Sequence, residues 1–265
     1  MAGEQRGIGS VEVGGQLLRV LTECEGPIML RDLASSANMS AAKAHPYMVS
    51  FVRLGLVEQD KASGRYELGS LALQMGLASM RRLDSIRIAT GAIGELVLRI
   101  DHTVSLSVWG NHGPTVVRIE EGTGSVHVNM RVGSVMSLHG TATGRVFAAF
   151  LPPKMIENFV ESGVGRDSVG DDSVRQMTRK QTDAAIAEVR EKGLARAVER
   201  PIPGVNAFCA PVFDHSGSIA LAITAIGSSS RFDANWDSPI AAELRKCAAT
   251  VSTRLGFPSK GSRAA

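Results

Sequence analysis

The chain is poor in cysteine, has no long apolar run and leans only slightly to one sign of charge. Its three cysteines, Cys24, Cys209 and Cys247, stand far apart. They form neither a disulfide framework nor a thiolate set with metal-ligand spacing. The fold is therefore expected to stand on apolar cores in a reducing cytoplasm. No stretch approaches the ~20 apolar residues that cross a bilayer. Met1 to Ser10 is glycine-rich and lacks the apolar segment of a secretory leader, so no membrane partner is expected. Lysine and arginine number 29 against 26 acidic residues, a net charge of +3. That balance permits nucleic-acid binding without arguing for it.

Catalytic patterns are also missing. His102, His112, His127, His139 and His215 have no H-E-x-x-H or comparable spacing, so no metal site and no cofactor are expected. There is no G-x-S-x-G elbow. Gly163-Val164-Gly165 begins like a dinucleotide loop, but the third glycine is out of place and no strand leads in. Asp167, Asp171 and Asp172 read as a solvated loop, and Cys209 as inert core in an apolar strand. Nothing assembles a nucleophile and its base. An enzyme is thus the weaker alternative.

Hydrophobic residues make up 44% of 265, enough for one large core or two smaller ones. A helix is predicted over Val13–Glu23, with an apolar stripe of Leu17, Leu18, Val20 and Leu21 and a stop at Gly26-Pro27. A short helix is predicted over Leu30–Ala37. Asn38-Met39 reads as a turn, because asparagine tolerates the left-handed conformation. Ser40 is placed to cap a third helix that carries Tyr47, Met48, Phe51 and Leu54 and ends at Gly55. Two short apolar runs around Asp60–Gly64 predict a β-hairpin. Helix, helix, turn, helix and hairpin are the order of a winged helix-turn-helix, whose second helix can enter a major groove.

Ser70–Arg82 is again helical in pattern, with apolar residues on two sides. The alternatives at this point are packing against a partner chain or against its own domain. Beyond it, helices are predicted over Ile86–Arg99, Thr141–Leu151, Lys154–Ser162, Arg179–Lys192 and Pro239–Leu255. Strands are predicted over Thr103–Trp109, Thr115–Glu120, Ser125–Arg131, Leu194–Val198, Ala207–Phe213 and Ile219–Ile226. The fold class is α+β. The expected domains are 10–69, a winged helix-turn-helix; 70–84, a linker helix; and 85–257, a sensor domain.

Four stretches then carry a family pattern. They are Leu30–Ala34 through Arg53–Val57; Gly64–Gly69; Arg131–Ser134 with Leu138–Arg145; and Ala210–Asp214 with Gly217, running on to Gly227 and Ser230-Arg231. In this order and spacing the chain resembles the IclR family of bacterial transcription regulators over roughly Val11 to Gly256. The resemblance implies a GAF-like α/β effector-binding domain, a homodimer or dimer of dimers, and a partly palindromic double-stranded operator.

In such a reading head the DNA-binding candidates are Ser40, Ala41, Ala42, Lys43, His45 and Tyr47, with Lys61 and Arg65 in the wing. Tyr47 also fits a half-buried role. Pro46 departs from the family's polar or basic residue. It predicts either a late helix start or a kink, since proline in a helix interior removes a backbone bond. The resemblance places Val128, Ala142, Thr143, Ala197, Ala207, Thr224 and Ile226 along the effector cavity. Relatives that take small carboxylates carry Asp, Cys and two Ser where this chain has Ala197, Ala207, Thr224 and Ile226. A larger, more apolar cavity is therefore expected, with Thr143 and Thr224 as its polar points. Trp109, Met130, Asn206 and Phe208 are further candidate liners. The expected effector is aromatic or otherwise largely apolar, since little offsets desolvation of a dicarboxylate. A sensor or adaptor that does not touch DNA is the alternative function.

Overall fold

The computed structural model describes residues 7–81, 83–123, 130–164, 168–170 and 179–258. The chain divides into two compact units, Met1–Leu83 and Asp84–Ala265.

In the first unit, α1 spans Gly9–Glu23, α2 Leu30–Ser36 and α3 Ala41–Leu54. Helix α1 starts at Gly9 rather than Val13. Glu12 lies in its first turn, where an acid suits the helix dipole despite the glycines around it. Asn38 takes the left-handed conformation, with φ 54°, and turns the chain between α2 and α3. Ser40 caps α3, its Oγ accepting the Lys43 N–H at 3.3 Å. Gly55 ends the helix with φ 73°.

Pro46 does not delay α3. The helix is assigned without interruption from Ala41, and Pro46 lies inside it. The Ser40 cap and the buried Ala44 and Met48 fix the register. The helix therefore keeps its length although Pro46 has no amide to offer the Ala42 carbonyl.

Strand β1, Val57–Gln59, pairs antiparallel with β2, Tyr66–Leu68. Ile28 and Tyr66 exchange backbone hydrogen bonds at 2.8 and 2.9 Å, joining the hairpin to the α1–α2 connection. Leu17, Leu21, Leu33, Ala44, Met48, Val57 and Tyr66 make one buried cluster, so all three helices and the hairpin share a core. Helix α4, Ser70–Arg81, follows. Its Leu73, Met75, Leu77 and Met80 are exposed.

The second unit contains α5 (Ser85–Ile100), β3 (Thr103–Gly110), β4 (Gly113–Glu120), α6 (Ala142–Phe150) and α7 (Pro153–Ser162). It continues with α8 (Arg179–Lys192), β5 (Ala195–Val198), β6 (Val205–Phe213), β7 (Ile219–Ser228) and α9 (Pro239–Arg254). The strands form an antiparallel sheet of order β4-β3-β7-β6-β5. Helix α6 covers one face, where Ala142, Val146 and Phe147 pack on Ala197, Cys209 and Ala222. Helices α5 and α9 pack together against β3, β6 and β7 on the other.

The strand expected at Ser125–Arg131 falls largely outside the described residues. Met130 and Arg131 are not in a strand. Pairing along β4 is taken up further on, where Thr115 bridges Val135 and the Met136 N–H donates to the Pro114 carbonyl at 2.7 Å. Close approach makes Gly144 obligatory in α6. A Cβ there would overlap the Ser137 and Leu138 carbonyl oxygens.

Candidate functional site

The exposed face of α3 carries Ala42, Lys43, His45 and Pro46, with Ser50 and Arg53 further along. Ser40 stands at its start and is committed to the cap. Ala41 and Tyr47 are half-buried and lean on the unit's core, so of the residues named from sequence they are the ones turned inward. Lys61 is exposed in the hairpin turn. That turn is built on Asp60, whose carboxylate accepts the Ala62 and Ser63 N–H groups and the Ser63 hydroxyl. The Ser63 hydroxyl and then the backbone donors hold the Asp60 carboxyl below the usual carboxylate range. Arg65 donates through a guanidinium N–H to the Pro27 carbonyl at 3.1 Å, tying the wing to the α1–α2 connection. Helix, cap and wing thus present cations and small side chains without a competing acid on the α3 face, whose exposed residues include none. That arrangement can meet phosphates and base edges.

In the second unit a cavity of about 50 Å³ opens against the sheet at the start of α6. Ala197 on β5, Ala207 on β6, Thr224 and Ile226 on β7, and Ala142 and Thr143 on α6 meet there, with Met130 from the segment before α6. Register explains the convergence. Ala207 pairs with both Ala197 and Ile226, so the three share one face. Thr143 and Thr224 are buried, and their hydroxyls lie 2.9 Å apart in a hydrogen bond. Cys209 sits beside them, fully buried, and desolvation pushes its thiol up to about 12. Val128 lies outside the described residues.

Several sequence expectations need correction. Trp109, Asn206 and Phe208 do not line the cavity. Asn206 and Phe208 flank Ala207 on β6, and alternation sends them to the opposite face. Asn206 there accepts the Glu199 N–H and donates to the Phe232 carbonyl. Phe208 packs at a tilt against Phe232 and Trp236, at 5.5 and 5.9 Å between centroids. Trp109 packs on Phe147 and Phe159 at 5.9 and 5.0 Å.

The cavity is also small rather than large. A dry cavity that holds benzene measures about 150 Å³. Here Met130 and Met136, with Val169 and Ile202, fill the space that short side chains at 197 and 207 leave. A bound ring requires that side to give way.

Sequence reasoning missed Thr141, Met136, Val169 and the Arg200-Pro201-Ile202 loop, which also line it. Loop residues carry no periodicity, so only the fold could bring them in. Arg200 is the charged side chain among the described lining residues. Gly170 packs its backbone against Pro201 and Thr141, where a side chain would clash. His139, just before α6, is half-buried, and its Nδ1 meets no hydrogen-bond partner among the described residues. Burial lowers its pKa. Among the described residues no group of histidine, cysteine and acidic side chains could hold a metal ion, and no helix is long and apolar enough to cross a membrane.

Comparison with known proteins matches the IclR helix-turn-helix domain over residues 10–61 and the bacterial transcriptional regulator IclR C-terminal domain over residues 77–253. The chain is 24% identical over 253 residues to the HTH-type transcriptional regulator XynR of Escherichia coli, covering 95% of this chain and 99% of that one. It is 27% identical over 264 residues to the glycerol operon regulatory protein of Streptomyces coelicolor, covering 95% and 98%. Among solved structures it is similar to Pseudomonas aeruginosa HmgR, with a TM-score of 0.84 and 33% identity, covering 96% of this chain and 100% of that chain. The repressor BlcR of Agrobacterium tumefaciens shares the fold, with a TM-score of 0.75 at 17% identity, covering 95% and 99%.

Proposed function

The chain belongs to the IclR family of transcriptional regulators, and from that premise we propose how this member reads DNA and what it senses. It is a ligand-responsive DNA-binding regulator, not an enzyme. In our reading it works in the cytoplasm as a homodimer or dimer of dimers on a partly palindromic operator. Residues 10–69 form the reading head, 70–84 the linker helix and 85–257 the effector domain. Lys43 and His45 on α3 face the major groove, with Ser40 and Ala42 beside them and Lys61 on the backbone. Arg65 holds the wing in place. Ala41 and Tyr47 support the helix from its inner side.

The effector is aromatic or otherwise largely apolar and carries one anionic or hydrogen-bonding group. The observation that carries this is the lining. Ala142, Ala197, Ala207, Ile226, Met130 and Met136 offer hydrocarbon and sulfur, Thr143 and Thr224 hydroxyls, and Arg200 a cation. Val128 belongs with them by family resemblance alone. Burial of an apolar ligand surface contributes ~25 cal/mol per Å². A second carboxylate would find no second cation among these residues.

Effector binding alters operator affinity only through a difference in affinity between two arrangements of the assembly. Helix α4 joins reading head to effector domain in sequence, and its exposed Leu73, Met75, Leu77 and Met80 suit contact with a second copy.

The test is fluorescence anisotropy on operator DNA with benzoate, phenylacetate, their amides and glyoxylate added in turn. A response to the aromatic acids, reduced toward that of the amides by Arg200→Ala, supports the reading. A response to glyoxylate alone contradicts it.

A further inference from the structure

The sheet unit carries a second concavity, lined by none of the residues of the first. A groove of about 520 Å³ lies where the ends of α6 and α9 meet the second half of β6. Its aromatic walls are Phe150, Phe213 and Phe257. Phe150 stands edge-on to Phe213 at 5.2 Å, and Phe257 lies 5.1 Å from Phe213.

Arg190, Lys192 and Arg245 line the same groove. Arg190 donates its Nε–H to the Ala149 carbonyl at 2.8 Å, and Arg245 donates to the Trp236 carbonyl at 2.9 Å. Each anchor fixes a guanidinium while leaving further N–H donors for a ligand. Lys192 also lines the groove but is paired with Glu191 at 2.8 Å, so the fixed arginines matter most. No carboxylate is among the described lining residues.

We propose that this groove is a second small-molecule site, taking an aromatic or otherwise apolar ligand with one carboxylate or equivalent anionic group. Its volume lies in the range of about 300–1,000 Å³ typical of ligand pockets. The aromatic edges match an apolar body, and a planar guanidinium matches a carboxylate in bidentate geometry. The site is separate from the effector cavity. Helix α6 has Thr143 in the cavity and Phe150 in the groove, and β6 has Ala207 in one and Phe213 in the other.

Isothermal titration of the full chain with 2-naphthoate and with its neutral amide tests it. Three variants accompany the parent. Arg245→Gln removes one of the two fixed cations, Ala249→Phe fills the groove from an exposed helix position, and Ala207→Ile narrows the first cavity. Circular dichroism checks that each folds. The expected result is saturable 2-naphthoate binding, weaker by about tenfold for the amide, from loss of a charge-assisted hydrogen bond. Arg245→Gln and Ala249→Phe should each weaken the groove's component of acid binding by about as much, and that component should persist in Ala207→Ile, which alters only the effector cavity. Equal affinity for acid and amide, loss in Ala207→Ile alone, or no saturable binding would overturn the proposal.

Discussion

The hydrogen-bonded pair Thr143–Thr224 offers a prediction whose sign depends on how many partners are removed. Both side chains are 2% exposed, and their oxygens lie 2.9 Å apart across the junction of α6 and β7. Thr224→Val keeps the shape and leaves the Thr143 hydroxyl buried without its partner. The cost of such an orphan is about 1–3 kcal/mol. The Cys209 thiol interacts with both hydroxyls and is a weak acceptor, which places the expected value at the lower end, about 1–2 kcal/mol. Thr143→Val should cost about the same by the same argument.

The double variant removes donor and acceptor together and replaces them with methyl groups of equal size. Its expected cost is under about 0.5 kcal/mol, because no hydroxyl is left unsatisfied. Urea denaturation of parent, singles and double gives the coupling energy directly. A double variant as unstable as the sum of the singles would refute the reasoning. The hydroxyls would then be working against separate partners.

Other expectations follow from burial and close approach. Gly144→Ala should destabilise the second unit by about 1–3 kcal/mol, since α6 must back away from the Ser137–Leu138 backbone; thermal unfolding checks it. His102 and His139 have pKa values lowered, in each case chiefly by burial. The folded state therefore favours their neutral forms, and the unfolded chain binds more protons once pH falls through its own histidine pKa of about 6.5. Stability should be full above that pH and drop below it. His139→Gln should flatten the drop in urea midpoints between neutral and mildly acidic buffer. Cys209, with its thiol up to about 12 and fully buried, should resist an aromatic disulfide reagent in the folded state, while half-exposed Cys24 reacts first. Mass spectrometry of the labelled chain identifies the site.

Much of the fold is legible in the sequence because its punctuation is local. Ser40, Gly55, Asn38 and Thr141 mark helix ends and turns through their own backbone preferences, and the structure uses each of them so. The effector side is less legible, because facing depends on register. Asn206, Ala207 and Phe208 are neighbours in sequence, but a strand divides neighbours between two faces. The pairing of Ala207 with Ile226 decides which face meets α6, and no local signal states it. Cavity size is hard to read from sequence for a related reason. Small residues at 197 and 207 imply space, while Met136 and Val169 arrive from segments distant in sequence and Ile202 from the β5–β6 loop to take it up. Pro46 taught the converse. A capping serine and a buried apolar face carry α3 through a residue whose local preference is to interrupt it.

The central claim is that α3 reads DNA and Lys43 contributes to the contact. Anisotropy titration against DNA from upstream of the chain's own gene, at several salt concentrations with random competitor, tests it most directly. The account predicts competitor-resistant binding, lost in Lys43→Glu, with Lys43→Ala lowering the salt slope by about one. Binding no tighter than to random DNA and unchanged in Lys43→Glu would contradict it.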